Sequence, residues 1–237
     1  MIKGLITIAC NLISVIDRLI SQIAVITISI CLLICGLLIY ENQMILSLGF
    51  QNAFKNDSPS RSSSFPDYEE IVAWLTIDET TIDYAIMQTD NNTKYLNTQP
   101  DGSFALSGSI FLDYRNQYDF SDDYAIVYGH HMASGAMFGS LDRYYKEKYF
   151  KKHRHGTLTL KDGTVYDVMI FAIVAAKATN PQYYDPSCSE ILSFLKVIKK
   201  ESSIYYQPST NHLLALSTCA SRSSLDRTIV FASLSRS

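Results

Sequence analysis

The sequence predicts a mainly β domain, a barrel or sandwich of about eight strands with short helices, behind one N-terminal transmembrane helix. Three observations carry this. Ile23–Tyr40 is a run of 18 residues without a charge, about the length that crosses a bilayer as a helix. From about residue 67 onward, short β-branched and aromatic runs follow one another with few helical stretches, which is not the rhythm of alternating βαβ units. Asp162-Gly163 stands between two alternating runs, a strong hairpin signal.

At the N-terminus, residues 1–22 carry polar side chains at Lys3, Thr7, Asn11, Ser14, Asp17/Arg18 and Ser21/Gln22. That spacing is close to 3.6, so an amphipathic helix is expected, lying in the membrane interface or on a partner's helix. Residues 23–40 form the anchor, which is too long for a signal-peptide core. Lys3 and Arg18 precede the anchor and Glu41 follows it, so the positive-inside bias puts residues 41–237 outside the cell membrane. Residues 41–66 read as a linker, with serine, asparagine and proline dominating 51–65.

The remaining chain, 67–237, is the folded domain. Ile71–Ile77 and Thr81–Met87 flank Asp78-Glu-Thr as a hairpin. Asn92–Asn97 reads as a short helical connection, Gly108–Tyr114 and Tyr124–Tyr128 as strands, and Met137–His153 as one or two short helices. Thr157–Leu160 and Val165–Ala176 are the strands around Asp162-Gly163. Ser189–Lys200 has the apolar spacing of a helix packed on a sheet. Leu214–Cys219 and Arg227 onward are two further strands joined by a polar loop.

Net charge is −3 and the isoelectric point about 5.9, so no basic field marks a nucleic-acid partner. Of five cysteines, Cys10, Cys31 and Cys35 lie in the apolar N-terminus. Cys188 and Cys219 alone do not make a disulfide framework, and no Cys/His spacing indicates zinc. No metal or cofactor is implied.

Cys219 is the candidate nucleophile. It stands at a strand end, beside a polar loop and eight residues before Arg227 (227 − 219). A nearby cation or histidine favours thiolate, although a strand-end cysteine also packs well as a small apolar residue. Among the histidines, His153 and His155 lie in a Lys-Lys-His-Arg-His run that reads as a solvated turn, and His212 starts the cysteine strand too far back for proton transfer. His130 and His131 follow a strand ending at Gly129, whose expected role is a sharp turn; they are the best candidates for the cysteine's partner base or acid, against a plain reading as satisfied loop histidines. Arg227 is the candidate oxyanion donor, with Arg222 a rival and Asp226 able to orient it.

In order and spacing, several pieces together resemble the sortases, and among them class B: Trp74-Leu-Thr-Ile, Ile82-Asp-Tyr, Tyr95-Leu-Asn, Gly108-Ser-Ile-Phe-Leu-Asp-Tyr-Arg-Asn, Tyr128-Gly-His-His-Met, Met137-Phe, Leu216-Ser-Thr-Cys and Arg227-Thr-Ile-Val. The resemblance implies an eight-stranded sortase β-barrel and a membrane-anchored cysteine transpeptidase outside a Gram-positive cell. Its nucleophile falls on Cys219, its histidine on His130 and its arginine on Arg227. Ser217 and Leu96 fall on groove positions, and His131 occupies the place of the asparagine usual in the family motif. The implied partners are sorting-signal-bearing surface or pilin proteins, with a cell-wall peptide or a pilin lysine supplying the acceptor amine. The competing functions are a cysteine protease hydrolysing the same bond and an inactive membrane-tethered binding domain. The Asp-Pro-aromatic lid of many pilin polymerases has no counterpart in 41–66, where Pro59 precedes serine and Pro66 precedes aspartate.

Overall fold

The computed structural model describes residues 2–48, 69–187, 190–218 and 226–237. Cys188, Cys219, Arg222 and the serine-rich stretch 51–65 lie outside the described residues. The chain divides into two units, Met1–Ile45 and Leu46–Ser237.

The first unit is a single helix, α1 (Ile2–Leu48). The two segments expected at 1–22 and 23–40 are therefore one unbroken helix. Its candidate span covers Val15–Tyr40, 26 residues of mean hydropathy 2.8. At 1.5 Å per residue that stretch is about 39 Å long, longer than the roughly 30 Å hydrocarbon core of a bilayer. Thr27 and Ser29, the two hydroxyl residues of its uncharged stretch 23–40, return their hydroxyls to Ile23 O (2.8 Å) and Val25 O (2.9 Å). Such back-bonding leaves no side-chain donor unmet in an apolar surround. Cys31 and Cys35 are free and exposed on this helix.

The second unit is built on nine strands: β1 (Ile71–Ile77), β2 (Asp83–Met87), β3 (Ile110–Leu112), β4 (Tyr124–Gly129), β5 (His155–Leu160), β6 (Val165–Lys177), β7 (Ile204–Tyr205), β8 (Leu213–Thr218) and β9 (Asp226–Arg236). Eight of them run in the order β5-β1-β2-β3-β4-β8-β9-β6, and the β5–β6 pairing closes the circle into a barrel. The ninth, β7, is a two-residue addition to β6 at Ala172↔Tyr205; it is too short to show in a sequence pattern. Closure leaves no free edge in the main sheet. The Asp162-Gly163 turn behaves as expected. Gly163 has φ +88, where a Cβ is disfavoured, and the Asp162 carboxylate accepts from Thr164 N at 2.8 Å.

Two of the pairings are parallel, β2–β3 and β4–β8. Each needs a long connection. The one between β4 and β8 contains the β5–β6 hairpin, α2 (Glu147–Lys152) and α3 (Ile191–Glu201). Helix α3 buries Ile191, Phe194, Leu195 and Ile198 and leaves Leu192 outside, the stripe its apolar spacing predicts. Phe194 meets the Tyr124 ring edge-on at 4.9 Å and Phe231 at 5.9 Å, which ties the helix to β4 and β9.

The Lys-Lys-His-Arg-His run corrects one expectation. His153 is buried, not solvated: its ring stacks on Tyr149 at 3.9 Å, and Nδ1 lies 2.8 Å from Tyr149 O. Arg154 sits 4.2 Å over the Tyr206 ring. Flat groups next to aromatic rings find partners there that charge counting overlooks. His155, the first residue of β5, is exposed. His212 bonds Phe120 O at 2.8 Å through Nε2, a structural role.

Candidate active site

The site is a consequence of strand register. Strands β4 and β8 run parallel from Tyr124↔Leu213 to Gly129↔Thr218, so both end at the same rim. Strand β9 lies antiparallel on the other side of β8, with Ser217 opposite Ile229 and Thr228 N donating to Thr218 Oγ1 at 3.0 Å. Thr218, the last described residue of β8, is thus flanked by Gly129 and Thr228. His130 follows the first and Arg227 precedes the second. Cys219 follows Thr218 in the sequence and lies outside the described residues.

Gly129 serves packing rather than turning. A Cβ there would lie 2.4 Å from Ile110 Cδ1 and 2.8 Å from the Phe138 ring, and its φ is outside the left-handed region. The absence of a side chain lets Phe138 close over the strand end, and Phe138 N bonds the His130 carbonyl at 3.0 Å. The imidazole of His130 is half-buried, and its Nδ1 is enclosed without a hydrogen-bond partner among the described residues. Burial pushes its pKa below the ordinary histidine value, because the charged ring loses water.

His131 points to a different neighbour. Its Nε2 is 2.6 Å from Asp142 Oδ2, and the other oxygen of Asp142 accepts the Thr228 hydroxyl at 2.7 Å. A bridge between His131 and Met137 closes the short loop that carries it. Asp142, on the 3-10 turn Gly139–Tyr145, has no local spacing to a catalytic residue that a sequence could reveal.

Arg227 stands opposite Ala176 on β6 with its guanidinium 5.1 Å from the Tyr184 ring centre. Its Nε is buried and has no hydrogen-bond partner among the described residues. A buried donor with no partner is costly in a resting protein, and it is well suited to an acceptor that arrives with a substrate.

Arg227 lines two cavities. The first, about 340 Å³, is walled by Asn92, Leu96, Phe111, Tyr128, Ala178 and Tyr184. Its described lining includes no carboxylate, and Phe111, Tyr128 and Tyr184 give it aromatic walls. The second, about 210 Å³, is walled by His131, Asp142, Tyr145, Ala175, Thr218, Asp226 and Thr228. Leu96 therefore lines the first cavity and His131 the second. Ser217 lines neither: its side chain is fully buried, and its hydroxyl lies 3.3 Å from Thr218 O. Ser217 is in register with Tyr128 of β4, a residue of the first cavity's wall. A larger cavity, about 450 Å³, lies at Ile71, Tyr118 and Leu160, and none of its described lining residues is histidine or cysteine.

The wall of the first cavity hangs on Asp113, whose side chain is wholly buried. It accepts from Arg115 Nε (2.9 Å) and Nη2 (2.8 Å), Asn92 Nδ2 (3.0 Å) and the Tyr128 hydroxyl (3.0 Å). Burial alone would raise its pKa, but these donors, Arg115 foremost, outweigh it and hold the carboxyl below the usual range. Arg115 continues to Tyr184 O at 2.6 Å, linking the wall to the residue that faces Arg227. Asp113 and Arg115 stand inside the Gly108–Asn116 motif, but only the fold shows that they organise a cavity. Among the described residues no group of three or more His, Cys, Asp or Glu could hold a metal ion.

A barrel closed between β5 and β6, with a histidine and an arginine at the rim where parallel β4 and β8 end, defines a class of protein. The chain belongs to the sortase family: the Sortase domain matches residues 75–235. Within that family its relatives are of class B. It is 35% identical over 160 residues to Sortase B of Listeria monocytogenes and 30% identical over 158 residues to Sortase B of Staphylococcus aureus. Each match covers 64% of this chain, and 63% and 64% of those relatives, so the chain spans slightly less than two thirds of their length. A class B sortase of Streptococcus pyogenes involved in pilus biogenesis superposes with a TM-score of 0.66 at 37% identity, covering 70% of this chain and 92% of that one. Sortase B of Bacillus anthracis in complex with AAEK1 superposes at 0.63 and 34% identity, covering 71% and 80%.

Proposed function

We propose that this chain is a single-pass membrane protein whose outward-facing domain is a cysteine transpeptidase. In this reading Cys219 attacks a threonine carbonyl in the C-terminal sorting motif of a surface or pilin protein. The departing amine takes a proton from His130, and the acyl group waits as a thioester. An amine from a cell-wall peptide or a pilin lysine then resolves it. The observation that carries the proposal is the shared rim of β4 and β8: Gly129 pairs with Thr218, and in the sequence His130 follows the first and Cys219 the second.

Arg227 supplies electrostatics, not a proton, since guanidinium stays charged at any working pH. Its partnerless Nε is suited to the oxygen that becomes negative in the tetrahedral intermediate. The aromatic cavity past Leu96 and Tyr128 suits the sorting peptide. The apolar length of α1 supports the anchor, and Lys3 and Arg18 before it support the outward orientation of the domain.

Acylation needs thiolate and imidazolium together, so the rate falls on the acid side as thiolate is lost and on the alkaline side as imidazolium is lost. Burial of His130 moves the alkaline limb down in pH. The test is a quenched sorting-motif peptide incubated with and without an acceptor amine. Cys219→Ala and His130→Ala are expected to abolish turnover, and mass spectrometry should find an acyl group on Cys219. Peptide cleavage that an amine never diverts into ligated product would favour a protease, and a fully active Cys219→Ala protein would end the proposal.

A further inference from the structure

The second cavity holds chemistry that the acylation step does not use. His131 and Asp142 meet there at 2.6 Å, beside Thr218 and Arg227. A neutral imidazole that donates to this carboxylate carries its hydrogen on Nε2 and has Nδ1 as its basic nitrogen. Asp142 is itself held: its second oxygen takes the Thr228 hydroxyl at 2.7 Å, and Thr228 N bonds Thr218 Oγ1 at 3.0 Å. Imidazole, carboxylate and the end of the cysteine strand therefore form one connected unit. Among the described residues, the titratable groups facing His131 across this cavity are Asp142, Asp226, Tyr145 and Arg227. The described residues lining the neighbouring cavity include no carboxylate.

Proton accounting shows what this unit is for, given the transpeptidase reading on which the inference rests. Once His130 has protonated the leaving amine, it is neutral and can take back one proton. An aliphatic acceptor amine arrives as ammonium: with a pKa near 10.4, roughly one molecule in 2,500 is free base at pH 7. It must lose one proton before attack and a second as the tetrahedral intermediate collapses. Forming the new C–N bond breaks the C–S bond and returns Cys219 to thiolate. The two protons released need two bases, and His130 accounts for one.

We infer that the cavity between His131, Asp142 and Thr228 is the acceptor-amine site, with His131 taking the first proton from the incoming ammonium and Asp142 positioning the imidazole. Asp142 and Asp226 supply the negative charge that draws a cation to this side of Arg227. Hydrolysis does not need the second base, because a neutral water gives one proton to His130 and the product acid ionises in solvent. Neither does hydroxylamine, which is uncharged at neutral pH.

The experiment compares acceptors on the full chain in detergent. Thioester is generated from a sorting-motif peptide and partitioned between a lysine-derived amine and hydroxylamine supplied together. In Asp142→Asn, the ratio of amide to hydroxamate is expected to fall about 100-fold, the low end of general-base effects. Asp142→Glu should recover part of it. A substitution that merely loosens the rim lowers both products together and leaves the ratio unchanged, and that result would overturn the inference. Should Asp142→Asn fold poorly by circular dichroism, His131→Gln reads the same ratio with the same expected fall. Failure of the underlying reading looks different, since the unaltered protein would then form no thioester at all.

Discussion

Gly129→Ala tests the register argument most directly. Two effects of opposite sign compete. Removing a glycine from the unfolded ensemble stabilises by about 0.4–1 kcal/mol where the native backbone suits alanine, and Gly129 is not in the left-handed region. Against this, the new methyl would lie 2.4 Å from Ile110 Cδ1 and 2.8 Å from Phe138. Ile110 is fully buried and so is Phe138, so neither has room to retreat. Overpacking of this kind costs about 1–3 kcal/mol, so the clash wins by roughly 1–2 kcal/mol. At about 2–4 °C per kcal/mol for a domain of this size, the melting temperature should drop by roughly 2–8 °C. Activity should fall further than stability, because the displaced segment begins with His130; a misplacement near 1 Å costs about 100-fold. Scanning calorimetry and peptide turnover measure both. Ile110→Val removes the closest atom, so the double variant should lose less than the two single losses added together. A Gly129→Ala protein with an unchanged melting temperature and full turnover would refute the packing role and weaken the link between β4 and the site.

Other expectations follow from the same geometry. Asp113→Ala strands Arg115, Asn92 and Tyr128 together, so a loss of about 3–5 kcal/mol is expected in urea unfolding, along with a raised KM for the sorting peptide. An unchanged urea midpoint would remove Asp113 from its place in the cavity wall. Arg227→Lys keeps the charge but loses the planar fork over Tyr184; kcat/KM should fall about 100- to 1,000-fold, and equal activity would mean that a point charge suffices. The burial of His130 also has a signature in stability. Its folded pKa is depressed, so below the ordinary value near 6.5 the unfolded chain binds the proton more readily. Stability therefore falls with pH from about 6.5 downward, and His130→Gln should flatten that part of the difference curve. Identical slopes in the two proteins would exclude a buried His130.

Much of the barrel was legible in the chain because strand signals are local. Alternation, β-branched runs and the Asp162-Gly163 turn each need only a few neighbours. The helix at α3 showed its stripe for the same reason. What stayed hidden depends on partners far along the chain. Asp142 bonds His131 from a separate turn and Thr228 from 86 residues away. Asp113 gathers donors at 92, 115 and 128. Ser217 could be assigned to a strand, but not to a face, since its neighbours on β4 and β9 decide that. His153 looked solvated because its neighbours are cationic, while the Tyr149 ring that covers it lies one helical turn back. Gly129 stands out in the sequence as a glycine at a strand end, but the Ile110 and Phe138 side chains that require it there are distant in the chain.

The long parallel β4–β8 contact has a consequence in time. Its two strands are separated by 89 positions (213 − 124) and by most of the domain's other elements. Loop closure over such a span comes late in folding, and β9, emerging after both, must still dock between β8 and β6. Histidine, arginine and the residue that precedes the cysteine therefore meet only when nearly every strand is in position. A partly folded chain carries the candidate residues but not their arrangement, so under the proposed function the appearance of activity is itself a clock for completion of the barrel.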